Sequence, residues 1–370
     1  MSPTLELRIG MTVSLTGRHW RQARQALDGL RTWAAWMDQQ GGFRMGDLVR
    51  RVRVIYYDDE DRADLARENV ARLLDKDRVH ALFGPYSSFL TEAVAPVAEE
   101  RGRILWSHGG NCDSLYRYGR RGVVSISSPA SRYLTDLPTW LEKEAPELRT
   151  ICVVYEAQGA YAFEIADGLL ETAMGRASHQ TSMMPAGALS QHIGSLVREL
   201  GTRRPQVVVL AAAFDDEVQL LRTRADWPDS VRKVVAVAGG FLDLREELER
   251  STEGIIGPSQ WEPELRFPDA LGPDTDWFLA HFEDRFRRPP DYPAAAALAA
   301  AVIFGECVAR TGTFRDAALR EAADALDCHT LFGRFRVDDR GQQIGHRVVL
   351  VEWRGGAKAV IAGAPRAAVC

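Results

Sequence analysis

The sequence predicts an α/β protein built from two lobes, each a doubly wound parallel β-sheet with helices on both faces. Short β-branched apolar runs recur along the chain with amphipathic stretches between them. Most of these runs alternate too little between apolar and polar residues for a sheet with one face in water. The series is interrupted at 125–133 and then restarts, and 370 residues exceed one ordinary domain. We therefore expect two lobes.

The first series predicts strands at 7–13, 52–57, 79–83 and 104–106, separated by helices. Apolar residues from Ala23 to Met37 fall on one helical stripe, and Gly41 and Gly42 provide a stop. Similar stripes occupy 65–74 and 93–98. A strand-helix-strand order of this kind requires right-handed crossovers into a parallel sheet.

The second series predicts strands at 151–155, 207–212 and 234–238. The stretch 255–277 is rich in Gly, Pro and Asp, which predicts a loop. Two further helices are expected at 277–286 and 293–311. Closing strands at 333–337 and 347–353 are joined through 338–341, a segment with turn chemistry.

Composition excludes several classes of function. A net charge of −5 leaves no excess of basic residues to neutralise phosphates, so no nucleic-acid partner is expected. The five cysteines (Cys112, Cys152, Cys307, Cys328 and Cys370) are scattered and show no CxxC pair, which predicts neither zinc nor a disulfide framework. No window has the ~20 apolar residues needed to span a bilayer. The first residues lack a signal-peptide pattern, which fits either a cytoplasmic protein or one from which the signal was removed.

The strongest local motif runs from Phe83 to Val94, a strand that passes through a Gly-Pro turn into a helix opening with two serines. The first N–H groups of a helix lack internal acceptors, and the helix dipole places partial positive charge there. A small carboxylate is a natural occupant of such a position. The alternative is that Ser87 or Ser88 is simply an N-cap, and the two roles are compatible.

A second polar turn, 106–111, follows the next strand and contains Ser107, Gly109 and Asn111. Ligands of open α/β sheets lie beyond the carboxyl ends of the strands, so both loops are expected to line one crevice. An ordinary turn is the alternative. His108 has no partner at a recognisable catalytic spacing.

Enzyme motifs are missing from the sequence. Neither GxGxxG nor GxxxxGK[ST] occurs, and there is no GxSxG or HExxH. The acidic runs 58–61 and 215–217 could suggest a cation site, but both precede helices, where acids favour the N-terminus. We expect no metal, no cofactor and no catalysis.

These residues resemble a known family, the type I periplasmic solute-binding proteins of the leucine/isoleucine/valine-binding class, which serve ABC transporters. The resemblance covers nearly the whole chain and depends on the order of several motifs. They are SLTG at 14–17, VIYYDD at 54–59, FGPYSSFLTEAVAPVAEE at 83–100, PQVVV at 205–209, GIIG at 254–257 and FGRFRVD at 332–338.

The resemblance implies two Rossmann-like lobes joined by a three-crossing hinge, with 1–126 and 257–335 in lobe 1 and 127–256 and 336–370 in lobe 2. A ligand would be enclosed in the interlobe cleft when the hinge closes. The family's pattern places its carboxylate against Ser88, with Ser87 beside it, and against the loop of Ser107, Gly109 and Asn111. In lobe 2, Tyr161 would cover the ligand, together with a second position that falls on Phe214 or Ala213.

One departure from the family leaves the ligand open. Amino-acid binders of this class carry an acid for the ammonium group where this chain has Ala238-Gly239-Gly240-Phe241. Either another acid such as Asp215 substitutes, or the ligand has no ammonium group. Aromatic residues at or near the expected loops could stack against an aromatic acid, with the alternative that most of these rings are core. They are Trp20, Tyr86, Trp106, Tyr161, Phe214 and Phe241. We expect two or three of them to face the ligand.

The resemblance therefore implies a periplasmic, monomeric receptor that binds a small carboxylate, either an amino acid or an aromatic or heteroaromatic acid, and delivers it to an ABC permease. A cytoplasmic ligand sensor of the amide-responsive type has the same fold and is the alternative. An enzyme on this fold is the least supported hypothesis.

Overall fold

The computed structural model describes residues 5–117, 121–176 and 178–363, and the chain forms two compact units. The described residues up to Ser128, together with Pro263–His346, form unit 1. Pro129–Glu262, together with the described residues from Arg347 onward, form unit 2. The chain therefore passes three times from one unit to the other.

The strands lie close to the predicted positions. In chain order they are β1 (Glu6–Val13), β2 (Phe43–Met45), β3 (Leu48–Asp58), β4 (Ala81–Phe83), β5 (Leu105–Ser107), β6 (Val123–Ser125), β7 (Thr150–Glu156), β8 (Gln180–Ala186), β9 (Val207–Ala211), β10 (Lys233–Ala236), β11 (Ile255–Ser259), β12 (Cys328–Thr330), β13 (Gly333–Phe335), β14 (Val349–Arg354) and β15 (Ala357–Ala362). The strands β2, β6, β8, β11, β12 and β15 were not predicted from the sequence.

Helices separate most of the parallel strands, as the apolar stripes predicted. They are α1 (Trp20–Gln39), α2 (Ala63–Asp75), α3 (Ser88–Glu99), α4 (Ser114–Arg117), α5 (Leu137–Glu144), α6 (Ala160–Ala173), α7 (Ile193–Arg203), α8 (Phe214–Leu221), α9 (Asp243–Leu248), α10 (Thr275–Phe286), α11 (Tyr292–Thr311) and α12 (Asp316–Asp324).

Unit 1 is built on a six-stranded sheet in the order β2-β3-β1-β4-β5-β6. Its strands are parallel except for the β2–β3 hairpin. Helix α11 is long and apolar enough to cross a membrane, but 83% of its apolar window is buried inside the protein. It packs so closely on α1 that a Cβ at Gly29 would collide with the Ala294 carbonyl group, so α11 is a core helix.

Unit 2 contains a seven-stranded sheet in the order β15-β14-β11-β10-β9-β7-β8. Its parallel part ends at β11, because β14 pairs antiparallel with both β11 and β15. The expectation of a loop from residue 255 was wrong at its start, since 255–259 form the fully buried strand β11. Pro258 is accommodated there despite its missing N–H group.

The closing strands belong to different sheets. Strand β13 pairs with β12, whereas β14 lies in the sheet of unit 2. The boundaries expected after residues 126, 256 and 335 differ from those of the units, which follow Ser128, Glu262 and His346. Residues 336–346 belong to unit 1 because Gln343 Nε2 donates to the Ile126 carbonyl at 2.9 Å and the His346 ring lies 2.8 Å from Ser128 Oγ.

No disulfide joins the cysteines within the described ranges, and Cys370 lies outside them.

Candidate functional site

The candidate site of unit 1 is formed by the loops that follow β1, β4 and β5. These are neighbouring parallel strands, with β4 between the other two, so their carboxyl ends meet at one edge of the sheet. The structure thus brings together seven of the predicted site residues: Trp20, Tyr86, Ser87, Ser88, Ser107, Gly109 and Asn111.

Ser87 is the N-cap of α3. Its Oγ accepts the N–H of Leu90 at 3.2 Å, which is the capping interaction that one of the two serines was expected to make. Its backbone has φ 94° and ψ 143°, a region that residues with a side chain rarely occupy. The chain adopts this conformation where it turns sharply from β4 into α3.

Ser88 connects α3 to the next loop. Its Oγ accepts the N–H groups of Asn111 at 3.0 Å and Cys112 at 3.1 Å. A hydroxyl oxygen has two lone pairs and one hydrogen, so these two bonds leave the hydroxyl of Ser88 as a donor. A group that only accepts hydrogen bonds, such as a carboxylate, is its complement.

The first turn of α3 adds further donors. The N–H groups of Ser88 and Phe89 stand at the start of the helix, where no intrahelical acceptor is available. The dipole of the 12-residue helix adds partial positive charge at the same point. Phe89 is 61% exposed beside these donors. The sequence analysis did not identify Phe89 as a site residue, because a phenylalanine at the start of a helix is usually interpreted as part of the core.

The loop after β5 is shaped by its own side chains. Ser107 is buried, and its Oγ accepts the N–H of Gly110 at 3.1 Å. A Cβ at Gly109 would lie 2.6 Å from Cδ2 of Tyr86, so glycine is required for this loop to pack on the tyrosine ring. Asn111 is also buried. Ser107 and Gly109 therefore set the shape of the loop.

Tyr86 occupies the centre of the site. Its hydroxyl lies 2.6 Å from the hydroxyl of Tyr292, and its ring centroid is 6.2 Å from that of His19. Only 8% of Tyr86 is exposed, whereas 37% of Trp20 is exposed. Tyr292, at the start of α11, was not predicted because it lies more than 200 positions away in the sequence.

The acidic run 58–61 organises the loop after β1. Asp59 is fully buried and accepts from Thr12 Oγ1 at 2.9 Å and Ser14 Oγ at 2.6 Å. Burial raises the pKa of the Asp59 carboxyl, although these hydrogen bonds oppose the shift. Asp61 accepts the N–H of Arg18 at 2.9 Å, and its other oxygen lies 2.8 Å from His19 Nδ1.

These contacts give the acids a structural role. Within the described ranges there is no group of three or more His, Cys, Asp or Glu side chains able to hold a metal ion.

His108 is enclosed in unit 1. Its side chain is fully buried, and neither ring nitrogen has a hydrogen-bond partner among the residues that the structure describes. Burial lowers the pKa of His108 to about 3. Trp106 is also fully buried, with its ring 5.9 Å from Phe304, so it belongs to the core, which is the alternative that the sequence left open for these aromatic residues. It is the last apolar side chain of its strand and points into the core.

The other predicted residues lie at the carboxyl edge of the sheet of unit 2. Tyr161 is in the first turn of α6, after β7, and makes an edge-to-face contact with Tyr133 at 5.8 Å. Phe214 begins α8, after β9, and makes the same kind of contact with Phe241, also at 5.8 Å. Both rings are thus held by a second aromatic residue.

Gly239 follows β10 and packs directly on β11. A Cβ at Gly239 would lie 2.8 Å from the Ile256 carbonyl oxygen, and its own carbonyl accepts the indole N–H of Trp353 at 2.8 Å. No side chain fits at this position. Glu217, in the run 215–217, is fully buried and accepts the N–H of Ala238 at 2.7 Å.

The chain is similar to known proteins in sequence profile and in structure. The profile of a family described as periplasmic binding protein matches residues 6–358. A leucine binding protein, LivK, from Thermotoga maritima MSB8 superposes with a TM-score of 0.84 at 16% identity, over 97% of this chain and 99% of that one.

Two further solved structures carry bound ligands. The branched-chain amino acid transporter substrate binding protein LivJ from Streptococcus pneumoniae, in complex with isoleucine, has a TM-score of 0.81 at 14% identity, covering 96% and 99% of the two chains. An ABC transporter solute binding protein from R. palustris, in complex with benzoate, has a TM-score of 0.79 at 17% identity and covers 99% of both. With sequence identities of 14–17%, these similarities show that the chain has the same fold as the three proteins.

Proposed function

This chain belongs to the periplasmic binding protein family, and from that premise we propose that it is the extracytoplasmic solute-binding receptor of an ABC importer. The fold is that of the type I periplasmic binding proteins, as the resemblance predicted. The family and the fold together support a role in binding, with no chemical change in the ligand.

The ligand we propose is a small carboxylate bound at the start of α3. The observation that carries this proposal is the hydrogen bonding of Ser88, whose oxygen is saturated by the N–H groups of Asn111 and Cys112. Its hydroxyl therefore offers a donor beside two N–H groups that have no intrahelical acceptor and beside the positive end of a helix dipole. A carboxylate has only acceptors, so it complements every one of these groups.

The related structures favour two classes of acid. The S. pneumoniae protein holds isoleucine and the R. palustris protein holds benzoate. In unit 2 a side chain cannot be placed at Gly239, and each oxygen of Glu217 already accepts one backbone N–H, from Ala212 and from Ala238. This arrangement supports an acid without an ammonium group over an amino acid, because a buried ammonium needs a countercharge.

The expected roles of the remaining residues stay predictions. We propose that Ser87, Ser107, Gly109 and Asn111 shape the carboxylate site around Ser88, and that Trp20 and Tyr86 border it. For unit 2 we propose that Tyr161 and Phe214 supply aromatic contacts to the ligand and that Gly239 contributes its backbone.

The first experiment identifies the ligand. Native mass spectrometry of protein purified without refolding should reveal a bound acid, and calorimetry then measures its dissociation constant. Ser88→Ala should weaken binding by roughly tenfold or more, because a hydrogen bond to a charged group contributes ~1.5–3 kcal/mol. Ser195→Ala, in the first turn of α7, is the matched control and should bind as tightly as the unchanged protein.

Unchanged affinity in Ser88→Ala would overturn the carboxylate site, provided that thermal unfolding shows the variant to be folded. Chemical recovery of the ligand after long incubation tests the absence of turnover, since a receptor returns its ligand unaltered.

We also propose that the receptor acts as a monomer with an ABC permease. Light scattering with and without the acid tests the monomeric state. Reconstitution with the permease tests whether the receptor delivers its ligand to the transporter.

A further inference from the structure

The pair formed by His19 and Asp61 lies at the edge of the candidate site of unit 1. His19 is the residue before α1 in the loop after β1, and that strand is the direct neighbour of β4, which leads into Ser87 and Ser88. The ring of His19 is 6.2 Å from the ring of Tyr86, the residue that precedes the two serines. The pair therefore stands beside the proposed carboxylate site.

The orientation of the imidazole is fixed from one side. Asp61 Oδ1 lies 2.8 Å from Nδ1 of His19, and Asp61 Oδ2 accepts the backbone N–H of Arg18 at 2.9 Å. A carboxylate only accepts hydrogen bonds, so Nδ1 carries the hydrogen of this contact. In metal sites and catalytic sites the same arrangement selects one tautomer and presents the other ring nitrogen outward.

The second ring nitrogen is open to a ligand. Nε2 of His19 has no hydrogen-bond partner within residues 5–117, 121–176 and 178–363, and 23% of the side chain is exposed. A fixed imidazole with one unused nitrogen at the rim of a binding site is equipped to recognise a polar group.

We infer that His19, positioned by Asp61, is a specificity-determining residue that hydrogen-bonds a hydroxyl group on the carboxylate ligand. This inference rests on the proposed function. With Nδ1 bound to Asp61, Nε2 accepts a hydrogen bond in the neutral ring and donates one in the protonated ring. A hydroxyl group both donates and accepts, so it satisfies His19 in either state. An ammonium group suits only the neutral ring, and a second carboxylate suits only the protonated one.

The test compares acids that differ by one group. Calorimetry measures the dissociation constants of benzoate, 3-hydroxybenzoate and 4-hydroxybenzoate, together with L-leucine as an ammonium compound and succinate as a dicarboxylate. We expect one of the hydroxybenzoates to bind tightest, about tenfold more tightly than benzoate. Tightest binding by L-leucine or by succinate would overturn the inference.

Two variants test whether the preference for a hydroxyl group depends on His19 and Asp61. In His19→Phe the hydroxybenzoate and benzoate should bind equally well, because the ring remains and its nitrogen is gone. Asp61→Asn should reduce the preference only in part, since an amide oxygen still accepts from Nδ1. His192→Phe replaces an exposed histidine of unit 2 and should leave the preference unchanged.

Failure of the inference and failure of the proposed function look different. A hydroxyl preference that survives in His19→Phe overturns the role of His19 while the carboxylate site stands. If Ser88→Ala binds every acid of the panel as tightly as the unchanged protein, the carboxylate site itself is wrong, and the inference falls with it.

Discussion

The carboxylate of Glu217 accepts the backbone N–H of Ala238 at 2.7 Å, which ties helix α8 to the segment that follows β10. Its other oxygen accepts the N–H of Ala212 at 2.8 Å, just beyond β9. One fully buried side chain thus satisfies a main-chain donor at the end of each of two neighbouring strands. Burial raises the pKa of the Glu217 carboxyl well above its usual range, and the two N–H groups oppose that shift.

Glu217→Gln should destabilise the protein by ~1–3 kcal/mol, because an amide has one oxygen and its NH2 group would face a second N–H donor. Urea unfolding followed by circular dichroism measures the change. Glu246→Gln removes an exposed glutamate from α9 and should change the unfolding free energy by less than about 0.5 kcal/mol. Equal stability of the two variants would show that the contacts of Glu217 contribute nothing.

The enclosed His108 makes stability depend on pH. Burial lowers the pKa of His108 to about 3, whereas in the unfolded chain the histidine keeps its ordinary pKa of 6.5. Below pH 6.5 the unfolded state binds a proton that the folded state does not, so stability falls as the pH falls from 6.5 towards 3. At pH 5 this loss amounts to about 2 kcal/mol.

His108→Leu isolates that contribution from the other titrating groups. The difference in unfolding free energy between the unchanged protein and the variant should shift by about 2 kcal/mol in favour of the variant between pH 7.5 and pH 5. His192→Leu, at an exposed site, is the control. A pH-independent difference for His108→Leu would mean that the fold does not shift the pKa of the ring.

The fold was predictable because its signal is local. Strand β9 is predicted by a short apolar run and helix α1 by an apolar stripe, and both patterns lie within the element itself. The serines that start α3 directly follow a strand that the sequence also predicts. Strand β11 was misread because its Gly and Pro are typical of turns, although all five of its residues are buried. The short strands β2 and β6 have only three residues each, too few to show a period.

The site was predictable only in outline. The donor role of Ser88 depends on N–H groups 23 and 24 positions away, and Tyr86 meets Tyr292 across 206 positions. No sequence period reports such contacts. The burial of Trp106 was equally hidden, because a residue at a strand end can face either the core or the loop.

A buried ion pair in unit 2 gives a third prediction. Lys358 Nζ lies 2.7 Å from Glu262 Oε1, with side chains only 4% and 3% exposed, and it donates to the Gly240 carbonyl at 2.8 Å. Lys358→Met would leave the carboxylate of Glu262 buried without this cation, so we expect a loss of ~3–5 kcal/mol. Chemical denaturation measures it.

The double variant Lys358→Met/Glu262→Gln is the matched comparison. Removing both charges should restore more than half of that loss, since neither member of the pair is then left as a buried charge without the other. If the double variant is less stable than Lys358→Met alone, the two side chains do not act as a pair.

The last prediction concerns the segment 238–241, where the resemblance implied an acid for a ligand with an ammonium group. Gly240 packs against the Pro258 carbonyl group so closely that a Cβ would overlap its oxygen, and Pro258 is held in β11 by the pairing of that strand with β14. Gly240→Ala should therefore cost ~3 kcal/mol or more. Gly201 lies on the exposed face of α7 with nothing within 4 Å of a Cβ, so Gly201→Ala should stabilise by ~0.5–1 kcal/mol. Thermal unfolding measures both changes in stability. A destabilising Gly240→Ala beside a stabilising Gly201→Ala would show that backbone packing keeps this segment free of side chains. A stabilising Gly240→Ala would instead mean that the segment has room for an acid.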